Sequence, residues 1–132
     1  MVSAINIALS GFTAATNRLN VSAGNIANAY STTTLNNGVV SNTPYTPQQV
    51  NQSALDDGGV ATSTTAVNPP SISVNDPGNI AANATTGITQ FPNVDPAQQL
   101  VQANFASYTA QANLNVIKVD EKNFQSVLNI IS

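Results

Sequence analysis

The stretch Asn93-Val94-Asp95-Pro96-Ala97-Gln98 has the composition of a helix opening. Asp95 at the N-cap offers a carboxylate to the first free amides, and Pro96 at the first helical position has no N–H to leave unpaired. Gln98, at the third position, can bond back to the cap. Downstream, Leu100, Ala103, Ser107, Ala110, Leu114, Ile117, Glu121, Phe124, Leu128 and Ile131 advance by threes and fours to the end of the chain. A second stripe runs through Val101, Phe105, Tyr108, Ala112 and Val119. The spacing predicts one helix of about 36 residues, ~54 Å long and well beyond the globular mean. Two apolar stripes on one helix require more than one helical neighbour.

The other end of the chain carries a matching signal. Ile5, Leu9, Phe12, Thr16, Leu19, Ala23 and Ile26 alternate spacings of four and three, the a/d spacing of a coiled-coil seam. Ala8, Ala15 and Ser22 run beside them, and Ala14 and Val21 form a second narrow stripe. A helix over about residues 3–29 follows, ~40 Å long. It stops where Gly24, Asn25 and Asn28 give way to Tyr30-Ser31-Thr32-Thr33-Thr34, whose β-branched side chains end the pattern. An amphipathic helix of a monomeric core would show the same stripe, but its opposite face would carry charge, and this one carries almost none.

Between the helices, residues 30–92 hold six of the seven prolines. Asn36-Asn37-Gly38, Asp56-Asp57-Gly58-Gly59 and Asp76-Pro77-Gly78 are turn sequences. The alternating runs Val60 to Thr65 and Ser71-Ile72-Ser73-Val74 suit edge-like strands. Apolar residues are sparse, so this part reads as a small irregular β element or a loop ordered on assembly. The expected fold is mainly α: long terminal helices, 1–29 and 93–132, pairing as a coiled coil, with a small β-rich insert at 30–92.

Composition narrows the function. The 132 residues include three basic and six acidic side chains, a net charge of −3, and neither His nor Cys. No basic patch exists to attract nucleic acid or anionic lipid. Triads, thiolate or imidazole metal sites and disulfides are excluded. The close acidic pairs, Asp56-Asp57 and Asp120-Glu121, lie in a Gly-flanked turn and beside Lys118 and Lys122. Neither has the apolar wall that raises a carboxyl pKa, and no stretch has the ligand spacing of a Ca²⁺ loop. No catalytic residue, cofactor site or metal site is therefore expected. No run approaches the ~20 apolar residues of a membrane span, and no basic region precedes an apolar stretch as in a secretory signal.

Neutral polarity takes the place of charge: 19 Asn, 14 Thr and 12 Ser make up a third of the chain. Low-charge surfaces tolerate close apposition, so this is the composition of a chain packed among neighbours, and equally of an Asn/Thr-rich secreted surface protein. The apolar stripes exceed what one chain of this length can cover, which predicts association with copies of itself or related chains.

Ala8-Leu9-Ser10-Gly11, Arg18-Leu19-Asn20-Val21 and Asn25-Ile26-Ala27-Asn28 resemble the N-terminal signature of the bacterial flagellar rod and hook family of axial proteins. Asn93-Val94-Asp95 and Gln111-Ala112-Asn113-Leu114-Asn115-Val116-Ile117-Lys118 look like its C-terminal one. Pro44-Tyr45 and Asp76-Pro77-Gly78-Asn79, leading to Phe91-Pro92-Asn93-Val94-Asp95, are similar to the short proximal rod members. Gly24 departs from the more usual Asn, and Thr46 from a basic residue.

The resemblance implies a structural subunit of the basal-body rod, which crosses the periplasm. Its terminal helices would pair in the wall of a helical tube around the export channel. It would be exported unfolded by the flagellar type III apparatus, without a cleaved signal peptide. Its partners would be copies of itself, other rod proteins, the export apparatus and a membrane-ring or rod-base adaptor. No nucleic acid and no membrane insertion are expected.

Period and resemblance together mark Ile5, Leu9, Phe12, Leu19 and Ile26 as the N-terminal assembly seam. Leu100, Tyr108, Asn113, Leu114, Ile117, Phe124, Leu128 and Ile131 mark the C-terminal one. Asn25 and Asn28 either close the first helix or bridge to an adjacent chain. Arg18 is either a solvated side chain or one half of an ion pair with a neighbouring subunit. Two other classes share some of these features. A secreted adhesin would use the Asn/Thr-rich middle as its binding face, and a type III secretion needle or chaperone-bound effector would share the seams alone.

Overall fold

The computed structural model describes residues 4–32, 35–36, 39–40, 44–56, 58–75, 78 and 88–131. Helix α1 spans Ala4–Ala27. Three antiparallel strand pairs follow: β1 (Leu35–Asn36) with β2 (Val39–Val40), β3 (Gln48–Ala54) with β4 (Val60–Ala66), and β5 (Ser71–Asn75) with β6 (Ile88–Pro92). Helix α2 spans Pro96–Ile131, 36 residues.

The opening of α2 forms as its sequence dictates. The Asp95 carboxylate accepts from the backbone N–H groups of Ala97 (2.9 Å) and Gln98 (3.2 Å), satisfying two of the helix's unpaired donors. Gln98 takes part through its main chain. At the far end of α1, Asn28 donates from both its main-chain N–H and its Nδ2 to the Gly24 carbonyl, at 3.2 and 2.9 Å. Asn28 thus closes the helix, whose last residue, Ala27, lies two before the predicted stop at 29.

Strand β3 escapes the alternation rule. β4 and β5 fall where alternation places them, but β3 reads Gln-Gln-Val-Asn-Gln-Ser-Ala, polar nearly throughout, and takes its strand form from pairing with β4. The turn joining them contains Gly58 (φ +87°) and Gly59 (φ +96°), a backbone region that L side chains avoid. The proposed turns at Asn36-Asn37-Gly38 and Asp76-Pro77-Gly78 each include positions outside the described residues.

The β3–β4 hairpin lies along α1. The Val60 N–H donates to Ser10 Oγ at 3.1 Å, Asn17 Nδ2 donates to Thr62 Oγ1 at 2.9 Å, and Asn25 meets Gln48. The turn presses on α1 closely enough that a Cβ on Gly59 would stand 2.6 Å from Ser10 Oγ. On its other side α1 packs against α2. Asn25 contacts Gln99 and Gly11 abuts Asn113, and in both pairs the residue numbers add to 124, so the helices run antiparallel in constant register. By that register Ala4 lies level with position 120, and α2 continues beyond α1 for residues 121–131, ~16 Å of helix.

Candidate functional site

The surface between the two helices is built from small and polar side chains. On α1, Ala8, Ala15 and Ser22 are buried at seven-residue spacing, with Gly11 and Asn25 on the same face. On α2, Gln99, Ala103, Ala106, Ala110, Asn113, Ile117 and Asp120 are at least half-buried, alternating four and three, and Ala106 is 1% exposed. Small residues let the helix axes approach closely. A Cβ on Gly11 would stand 2.7 Å from Asn113 Oδ1, so any larger residue there would displace the Asn113 amide. Asn113 is held there by donating Nδ2 to the Thr109 carbonyl at 2.9 Å.

This inner seam differs from the large-side-chain stripes that periodicity singles out. The stripe on α2 shares only Ala103, Ala110 and Ile117 with it. The hydrophobic period follows the bulkiest residues, and those stand beside the contact or away from it. Among the N-terminal residues, Leu9 is 51% exposed, while Ile5, Phe12, Leu19 and Ile26 are half-buried. On α2, Leu100, Tyr108, Phe124 and Leu128 are more than half exposed, and Leu114 is exposed as well. The side chain of Ile131 lies outside the described residues.

The outward faces also carry hydroxyls turned back on their own helices. Thr13 donates to the Leu9 carbonyl and Ser126 to Lys122, each at 2.9 Å. A hydroxyl bonded in this way no longer needs water, so the surface it occupies can meet another helix at small desolvation cost.

Asn25 is the structural joint of the chain. It is 1% exposed, and its Oδ1 accepts from the Gln48 N–H (3.0 Å) and the Tyr45 hydroxyl (3.2 Å). Its Nδ2 donates to the Gln48 carbonyl (2.7 Å) and to Gln99 Oε1 (3.2 Å). Two lone pairs and two protons are the full capacity of an amide, so nothing of Asn25 is left for an adjacent chain. Tyr45 stood out in the sequence only as part of the Pro44-Tyr45 motif, and Gln48 and Gln99 did not stand out at all. They lie 20, 23 and 74 residues from Asn25, and no local pattern links them.

Arg18 is half-buried in a cleft of about 630 Å³ between α1, the first turns of α2 and β3. Val21, Val50, Val101 and Phe105 give the cleft apolar walls, and Asp95 stands at its α2 end. Among the described residues, no carboxylate comes within ion-pairing distance of Arg18, and no group of acidic side chains could hold a metal ion. No helix is long and apolar enough to cross a membrane.

The overall arrangement is two long helices joined through a small-residue seam, with most of the large apolar side chains of α2 exposed. It has the form of a packing unit for an assembly. No protein-family model matches the chain. The flagellar basal-body rod protein FlgC of Yersinia enterocolitica is 36% identical to it over 123 residues, covering 89% of this chain and 87% of that one. With that identity over nearly the whole of both chains, and with the helical ends that carry the family's motifs, the chain belongs to the FlgC family of flagellar basal-body rod proteins.

Proposed function

We propose that this chain is a structural subunit of the flagellar basal-body rod, without enzymatic activity, assembling helically through its terminal helices. The observation that carries this reading is the division of labour on α2. Its seam toward α1 is alanine and amide, while Leu100, Val101, Phe105, Tyr108, Phe124 and Leu128 stand more than half exposed. Each such side chain moved from water into a contact stabilises it by ~2 kcal/mol. Several copies placed side by side therefore gain far more apolar burial than one copy contains. Coiled-coil packing of these faces between subunits would form the wall of a stiff tube that carries torque and encloses the export channel.

The single chain has a shallow core, which suits passage through the flagellar type III apparatus in an unfolded state. Deferring apolar burial until the chain reaches the growing tip avoids premature polymerisation. Residues 1–29 and 93–132 would act as the assembly segments and 30–92 as a brace. The partners are further copies, neighbouring rod proteins and the ring or adaptor at the rod base. The hairpin β3–β4 is docked on α1 through Ser10, Asn17 and Asn25, which disfavours an adhesin whose middle segment works alone.

An in-frame deletion tests the reading, scored by swimming and by electron microscopy of isolated basal bodies. Membrane rings with no rod or hook, restored by a plasmid copy, are expected. Complete flagella in the deletion strain would overturn it, and lost surface attachment in that strain would favour the adhesin.

A further inference from the structure

We propose that the β3–β4 turn of one copy, through Leu55 and Asp56, docks in the Arg18 cleft of a second copy, with the Asp56 carboxylate pairing with the guanidinium. This rests on the rod reading above and names one contact between its subunits.

The cleft holds an unmet cation. Arg18 is half-buried, and its guanidinium meets neither an acceptor nor a carboxylate among the described residues. A planar fork of N–H donors is matched best by a carboxylate. Asp95 lines the same cleft, but the antiparallel register sets it level with position 29, ~16 Å along the axis from Arg18. Its carboxylate is also engaged by the cap of α2. Beside Arg18, the walls are Val50, Val101 and Phe105, the last two 69% and 62% exposed. The matching occupant therefore presents one carboxylate next to one apolar side chain.

The hairpin turn has that form. Among the described carboxylates, Asp95 caps α2, and Asp120 and Glu121 stand between Lys118 and Lys122 in the sequence. Asp56 has no such cation near it in the sequence, is exposed, and makes no hydrogen bond or ion pair among the described residues. Leu55 beside it is 45% exposed. The turn is preformed: the Gly58 N–H donates to the Leu55 carbonyl at 3.0 Å, and the Leu55 N–H to the Gly59 carbonyl at 3.2 Å. Its glycines lie against α1, where a Cβ would stand 3.1 Å from Ile7 Cδ1 and 2.6 Å from Ser10 Oγ. A turn fixed in this way loses little freedom on docking.

Turn and cleft cannot meet within one chain. The glycines hold the turn level with Ile7 and Ser10, and Arg18 stands ~12–16 Å farther along α1. Copies lying side by side in the same direction bring the two together when staggered by that distance. Each copy then offers its turn to one neighbour and its cleft to another, a heterologous contact that extends in series rather than closing a two-fold pair.

The chain has no cysteine, so introduced thiols report alone. Leu55→Cys places one on the turn and Gln102→Cys one in the cleft. Gln102 lies level with Ser22, at least ~18 Å along the axis from the turn and beyond disulfide reach within one chain. Chains carrying one thiol each are co-expressed in the deletion strain, and basal bodies are isolated after treatment with diamide. Mixed disulfides are expected, with at most traces of like-with-like ones. Arg18→Gln should lower the mixed product about threefold. Arg18→Glu or Asp56→Lys should lower it further, and the two reversals together should restore it. A double reversal no better than the single ones would overturn the pairing. Like-with-like products alone, or no cross-link in swimming cells, would overturn the turn-to-cleft contact while leaving the rod reading intact. If the thiols prevent swimming, co-expression with the unmodified chain gives the same readout. Basal bodies from which the chain is missing altogether would overturn the rod reading itself.

Discussion

Replacing Asn25 by alanine tests whether one amide joins α1, the hairpin and α2. The substitution removes four hydrogen bonds: two to the main chain of Gln48, one to Tyr45 and one to Gln99. A neutral hydrogen bond contributes ~1 kcal/mol net, and a buried group left unpaired costs more. The Tyr45 hydroxyl is half-buried and the Gln99 side chain can turn outward, so those two recover part of their loss in water. The Gln48 main-chain groups are fixed by the start of β3 and cannot turn to new partners. The expected loss is about 2–3 kcal/mol, or roughly 8–12 °C in Tm for a chain of this size. The assay is thermal unfolding followed by circular dichroism at 222 nm, repeated for Asn25→Asp and Tyr45→Phe. Aspartate keeps both acceptor contacts and loses both donor contacts, so it should lie close to alanine, while Tyr45→Phe should cost ~1 kcal/mol. An alanine variant within ~0.5 kcal/mol of the parent, or an aspartate variant as stable as the parent, would refute the joint.

Three further outcomes follow from the contacts described. Gly11→Ala sets a methyl 2.7 Å from Asn113 Oδ1, and overpacking of that kind costs ~1–3 kcal/mol, offset in part by alanine's better helix propensity. In the double variant Gly11→Ala/Asn113→Ala the loss should vanish, and chemical denaturation of the four-member cycle measures it. Gly59→Ala meets both a φ of +96° and Ser10 Oγ, so hydrogen exchange should quicken across β3 and β4 while α2 keeps its protection. Leu114→Asp changes a residue 37% exposed, so expression and helix content should hold while rods fail to form; normal motility would count against the outer seam.

The sequence was informative wherever the cause of structure is local. The cap at Asp95, the length of α2, the stop near Asn28 and the strands at 60–66 and 71–75 each follow from neighbours within a turn or two. The inner seam was hidden because its residues are alanine, glycine and amides, whose contribution is closeness of approach, which no hydrophobic period records. β3 was hidden because seven mostly polar residues become a strand only when β4 supplies the partner. The joint at Asn25 was half visible: its place at the end of α1 could be read, but its partners could not, since it takes the folded chain to bring positions 45, 48 and 99 together. The outer stripes were legible as a surface too apolar for one chain, and the structure does leave those side chains outside the seam that joins its own helices.

The four hydrogen bonds between the hairpin and α1 fall at three positions, Ser10 and Asn17 against β4 and Asn25 against β3, about 22 Å from first to last along the helix axis, and β4 is nearly as long at ~20 Å. A lone helix bends because its turns can tilt independently, and a strand stitched across several turns shares any tilt among them. The hairpin therefore works as a splint, laminating extended chain onto coiled chain so that flexing one means shearing the other. In a shaft that must turn without whipping, stiffness would then come from inside each part as well as from the joints between parts.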